Sequence, residues 1–277
     1  MVERLFTCSA IFVFFSAVFV SAQTPSPTPV TVNKLENLRP LRADQQDSEE
    51  MMRNMRGYGK QPVKLSDNAK KRIKITEEEK DLYKPVAKEN KLKILKIFSA
   101  PSCAGKLAID TGDSRCRELY DVLPVSFYSF IWSEHGETAS DFQILENLLI
   151  AGNKTNIHGL MIDFGEDEIG KFDKKSPAVK ILADFPVAKT ADEAEKQRQN
   201  LETGINYQNT TIASNRKLVA NHVYLLRLVA YKVGSDLGSF GNQDAVFLLK
   251  VNEINKDNTA VILWKKISEK EAPRLAK

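Results

Sequence analysis

The sequence predicts an α+β protein, mainly antiparallel β, folded as a sandwich or a strongly bent sheet and preceded by a charged helical N-terminal appendage. Three observations carry this reading. Residues 245–267 hold two β-branched and aromatic runs around the polar string Asn-Lys-Asp-Asn, the composition of an antiparallel hairpin. From about residue 91 onward, β-rich runs follow one another with turn signals between them, about seven to nine strands, without the regular helical interruptions of βαβ units. Before them, residues 43–90 are densely charged, with apolar residues at helical spacing.

Successive side chains on a strand point to opposite faces. With residues 255–258 as the loop of the hairpin, Val251 faces Ile262, Leu249 faces Trp264, and Phe247 lies on the same side. That side is a core face. The other carries Lys250, Asn252 and Lys265 together with Leu248, Val261 and Leu263. A slip of one residue would set Trp264 against Lys250, so burial fixes the register.

Taken in order, residues 1–22 read as a secretory signal peptide. Arg4 precedes an apolar stretch from Leu5 to Val20, and Val20, Ser21 and Ala22 supply small residues for cleavage before Gln23. A retained membrane anchor is the competing reading; sixteen residues fall short of the roughly 20 that span a bilayer. Contact with a membrane is therefore expected only through this segment before cleavage. Residues 23–42 begin Gln-Thr-Pro-Ser-Pro-Thr-Pro-Val, a disordered, polyproline-like tether.

In the appendage, Met51, Met52 and Met55 form a stripe that Gly57 and Gly59 terminate. Such a stripe is the buried face of an amphipathic helix or an adaptable peptide-binding face. Thr76 with Glu79 makes a capping box, and Pro85 is expected to kink or end the helix it opens. The globular domain then spans residues 91–270. Strands are expected at 92–98, 125–132, 142–150, 157–164, 179–185, 206–213 and 222–231, before the hairpin. Residues 142–150 also fit a helical period. A second capping box, Thr190 with Glu193, opens a helix that Gly204 should close, lying across the sheet as a thin lid. The run at 223–231 barely alternates, which marks a central strand covered on both faces.

Cys103 and Cys116 are the only cysteines after the leader, and in an exported chain an even pair points to a disulfide. Forty Lys and Arg against 36 Asp and Glu leave a net charge of +4, with the signs interspersed, which argues against a nucleic-acid stripe.

The order of Phe-Tyr-Ser-Phe at 127–130, Gly-Leu-Met-Ile-Asp-Phe-Gly at 159–165, Leu-Ala-Asp-Phe at 182–185, Leu-Leu-Arg-Leu-Val-Ala-Tyr at 225–231 and Val-Ile-Leu-Trp at 261–264 resembles a family of exported bacterial proteins with a β-rich C-terminal half. The resemblance covers residues 125–270 and implies export, to the periplasm or beyond the cell. Its motifs are packing motifs, and it implies no functional residue.

The best grouping for chemistry is Glu134, His135 and Glu137, an imidazole with two carboxylates in one loop. Together with the carboxylates of Glu166, Asp167 and Glu168 it would make a hydrolase or metal-dependent enzyme. The H-E-x-x-H spacing is absent, His158 and His222 sit at strand starts, and the Asp-Phe-Gly at 163–165 lacks the other kinase motifs. The glycines from Gly234 to Gly241 lack the ending of a phosphate-binding loop. The expectation is a non-enzymatic binding or structural module without cofactor, its partner an envelope protein or polymer.

Overall fold

The computed structural model describes residues 64–101, 119, 121–136, 140–152, 157–231 and 242–276. In chain order its helices are α1 (Asp67–Arg72), α2 (Glu77–Glu89), α3 (Pro177–Asp184) and α4 (Ala191–Thr203). Its strands are β1 (Lys93–Phe98), β2 (Phe127–Ser129), β3 (Glu134–His135), β4 (Phe142–Leu145), β5 (Leu148–Ala151), β6 (Ile157–Glu166), β7 (Ile205–Tyr207), β8 (Thr210–Ile212), β9 (Asn215–Lys217), β10 (His222–Ala230), β11 (Gln243–Ile254) and β12 (Thr259–Glu271). The class is α+β and mostly antiparallel, as the sequence predicts.

The principal sheet runs β1-β12-β11-β10-β6, each pair antiparallel. The hairpin has the expected register, Leu249 opposite Trp264 and Val251 opposite Ile262, with Ile254 and Thr259 bounding the loop. Asn258 takes a left-handed φ of 61°, which asparagine tolerates, and the Asp257 carboxylate accepts from the Thr259 amide and hydroxyl to close the turn. Along β10, Tyr224, Leu226, Leu228 and Ala230 face one core while Val223, Leu225, Val229 and Tyr231 face another. The unalternating run is thus a strand buried on both sides.

A second sheet, β3-β2-β4-β5-β9, covers one of those faces. Tyr128, Phe130, Phe142, Ile144 and Leu149 meet Leu226, Phe247, Leu249, Ile262 and Trp264 there, which makes the sheet-on-sheet packing of a sandwich. Phe130 lies at its centre. Its ring centroid is 5.0 Å from those of Tyr128, Phe142 and Trp264, each edge-on, and 5.4 Å from that of Phe247.

Three stretches expected as single strands are broken here. Residues 125–132 divide into a 3-10 turn (Leu123–Ser126), the short β2 and a further turn. Residues 142–150 fold back as the β4–β5 hairpin, because Glu146 and Asn147 both take positive φ, 49° and 63°, the geometry of a two-residue turn. Gln208 and Asn209, at 49° and 61°, do the same between β7 and β8 within 206–213.

Helices cover the other face of the principal sheet. Thr76 and Glu79 make the reciprocal capping box at the start of α2, which buries Tyr83 and Ala87. Pro85 lies inside α2, and the helix continues through it to Glu89. Lys96 on β1 and Glu79 on α2 form an ion pair at 2.6 Å with both side chains almost fully covered.

Residues 179–185, expected as a strand, belong to α3. Ser176 precedes Pro177 at the first helical position, where its missing N–H costs nothing, and Val179 and Leu182 turn the same face to the core. The far end of α3 is held from the sheet. Arg227 on β10 donates from Nη1 to the carbonyls of Leu182, 2.9 Å, and Phe185, 2.7 Å, satisfying helix-terminal acceptors. Its Nε and Nη2 reach the two oxygens of Asp244 on β11, both at 2.7 Å. α4 runs from the Thr190 cap, whose hydroxyl accepts from the Glu193 amide, to Gly204 at φ 95°. It buries Ala194 and Leu201 and leaves the rest of its surface polar, as the lid reading requires.

The segments expected as leader and tether, the methionine stripe, Cys103, Cys116 and the glycines from 234 to 241 lie outside the described residues. Among the described residues no helix is long and apolar enough to cross a membrane.

Candidate functional site

The grouping singled out by sequence separates into structural parts. Glu134 and His135 form β3, paired with Ser129 and Tyr128 of β2, and Glu134 is exposed. The His135 ring stands edge-on to Tyr128 at 5.0 Å, with Nδ1 3.2 Å from the Phe127 carbonyl. Burial lowers its pKa to about 4 against that hydrogen bond, so the imidazole is neutral and its Nδ1–H donates to the carbonyl. Glu137 lies outside the described residues.

Glu166 ends β6 opposite His222, and the Asp167 carboxylate after it is engaged locally. Asp167 accepts from the Glu168 amide and Lys171 Nζ, each at 2.7 Å, and Lys171 holds its pKa below the ordinary range. His222 Nδ1 lies 3.0 and 3.1 Å from the oxygens of Asp163, which also accepts from the Gly165 amide. His158 is buried beneath Gln197 and stands edge-on to Tyr231 at 4.9 Å. Among the described residues no three His, Cys, Asp or Glu side chains gather to hold a metal ion.

One buried carboxyl was not singled out by its sequence. Asp141, fully covered at the start of β4, accepts from Ser129 Oγ at 2.7 Å and from the amides of Phe130 and Ile131 at 2.9 and 3.1 Å. These donors order the turn that inserts Phe130 into the core. Desolvation outweighs them and raises the carboxyl to about 7. The folded protein therefore holds this proton over a range where the unfolded chain, with an ordinary Asp near 3.9, has lost it. Stability from this group is complete below about pH 4 and falls, on the order of 4 kcal/mol, as pH rises to about 7. His135 works oppositely, losing stability as pH falls from 6.5 towards 4. Comparing wild type with Asp141→Asn isolates the first effect: thermal midpoints from pH 4 to 8 should show an Asp141-dependent decline that the variant lacks.

A cleft of about 540 Å³ lies at the corner where the two sheets approach each other. Gln143 of β4 and Leu148 and Ile150 of β5 form one wall, with Phe127 beside them. Ile157, His158 and Gly159 of β6 form the floor; Arg198, Leu201 and Glu202 of α4 close the far side with Ser214 and Asn215. Its frame is stitched by backbone bonds. The Ser214 amide donates to Leu201 O and Ala151's to Ser214 O, both at 2.8 Å, while Met161 and Ala213 exchange amide bonds. The Asn215 carboxamide donates to Glu202 O at 3.0 Å, capping the end of α4.

Two glycines make this corner possible. A Cβ on Gly159 would lie 2.2 Å from the Ala151 carbonyl carbon, and one on Gly152, at φ 84°, would lie 2.5 Å from Ile157 O. Gly159→Ala should therefore destabilise by about 1–3 kcal/mol or more through forced separation of β5 from β6, read in urea unfolding. A glycine inside a strand pattern is the sequence signal for such a close approach.

The charges along the cleft are already matched. Arg198 donates from Nε and Nη2 to Glu195, at 2.9 and 2.7 Å, and from Nη1 to Glu202 at 2.5 Å. Burial, opposed by the Gln197 hydrogen bond, holds His158 below its ordinary pKa and keeps it neutral. Comparisons of the chain with protein-family models, curated proteins and solved structures gave no match.

Proposed function

We propose that this protein is an exported, non-enzymatic binding module whose ligand site is the cleft between the β4–β5 hairpin and α4. The cleft carries the reading. Its apolar lining sits on hydrogen-bonded strands and a capped helix, an arrangement suited to holding a ligand without rearrangement, and its volume lies within the roughly 300–1,000 Å³ of small-ligand sites. The charged groups beside it are committed to one another, which suits recognition more than proton transfer. Export rests on the apolar run from Leu5 to Val20 and the small residues before Gln23. The partner is an envelope protein or polymer that presents a group to the cleft.

The test has two arms. The full chain, made in a bacterium with an outer membrane, should be recovered from the periplasmic fraction with Gln23 at its N-terminus. The purified chain should show a raised thermal midpoint with members of a neutral fragment library, an increase absent from Leu148→Glu. Turnover of an ester, peptide or glycoside that Glu134→Gln abolishes would overturn the reading.

A further inference from the structure

We infer that the cleft takes an uncharged, apolar peptide segment, a step that rests on the cleft being a binding site. The lining sets two requirements. Phe127, Leu148, Ile150 and Leu201 offer apolar surface, which an aliphatic or aromatic side chain would cover. Gln143 brings a carboxamide into the same wall, and this side chain has no hydrogen-bond partner among the described residues.

The charges along the cleft favour a neutral ligand over the simpler ionic ones. An anion would have to draw the Arg198 guanidinium away from Glu195 and Glu202, and His158, held below its ordinary pKa by burial, adds no charge to attract it. A cation would compete with Arg198 for the same two carboxylates. A charged group entering the cleft would lose hydration without a partner to replace it. An acyl chain meets the apolar requirement and fails the other, because it would cover the Gln143 carboxamide and leave its donors and acceptor unpaired. A peptide satisfies both. Its side chain fills the apolar part, and its amide N–H and C=O complement the carboxamide.

The experiment uses the full mature chain labelled with ¹⁵N and two neutral probes. One is a tetrapeptide of alanine, leucine and phenylalanine, acetylated and amidated at its ends; the other is 1-decanol. The peptide should produce saturable shifts in the amide resonances of β4, β5 and α4. Leu148→Glu, at a position 40% exposed in the free protein, should weaken it at least 10-fold. Gln143→Leu should weaken the peptide about 5-fold, the worth of one hydrogen bond, and leave decanol unchanged or tighter. Should Leu148→Glu fail to fold, Gln143→Leu decides alone. Decanol binding that Leu148→Glu abolishes, with no peptide binding, would overturn the peptide class and leave the cleft as a site. Binding of neither probe would overturn both.

Discussion

Asp244→Ala is expected to lower the unfolding free energy by about 3–5 kcal/mol, as removing one partner of a buried ion pair generally does. Asp244 and Arg227 are each only 1% exposed. Without the carboxylate, the guanidinium would keep its place under α3 with Nε and Nη2 facing no acceptor. Lys270, 3.4 Å from the same carboxylate, is largely in solvent and loses little. The penalty belongs to the stranded charge, so replacing both partners together, Arg227→Met with Asp244→Leu, should recover more than half of it in urea denaturation. A double variant no more stable than the single one would show that the helix-end hydrogen bonds to Leu182 and Phe185 dominate instead.

Phe130→Ala should cost about 3–5 kcal/mol, because no neighbour can collapse into the space left. Four aromatic rings surround this one, and strands of both sheets fix them in position. Phe130→Leu retains most of the buried volume and should cost less than about 1.5 kcal/mol. Guanidinium unfolding of the pair measures the difference, and equal midpoints would place the stability of the inter-sheet layer elsewhere.

The fold is legible in the sequence wherever local chemistry and tertiary environment agree. The hairpin register follows from placing Leu249, Val251, Ile262 and Trp264 on one face. The limits of α4 follow from Thr190 and Gly204, and the central position of β10 from its lack of alternation. Residues 179–185 mislead because Val, Ile, Leu and Phe suit a strand, while the group that settles them as helix, Arg227, lies more than forty residues later. The breaks within 142–150 and 206–213 depend on two adjacent residues entering the left-handed region, and only the asparagine of each pair signals it. The cleft was legible only through Gly159 and Gly152, since its walls come from separate segments that share no motif. Among the residues grouped by sequence as a site, His135 proves to be a packing residue, while the buried Asp141 nearby reads in the sequence only as a helix cap, because a lone Asp before an apolar run resembles any other cap or turn residue.

The pairing of β1 has a consequence for how the chain is made. Among the described residues β1 pairs only with β12, so the first strand to leave the ribosome receives its partner last. At about 5–20 residues per second, the roughly 160 residues between them take on the order of 10–30 s to synthesise. Throughout that interval Lys-Ile-Leu-Lys-Ile-Phe is a bare hydrogen-bonding ribbon, open to capture by another nascent chain. Lys93 and Lys96 interrupt its oily character, and charge on an unpaired strand is a recognised brake on such mispairing. In the finished molecule the Lys96 ammonium is paired with Glu79, so one side chain serves first as a guard during synthesis and later as a tie between layers.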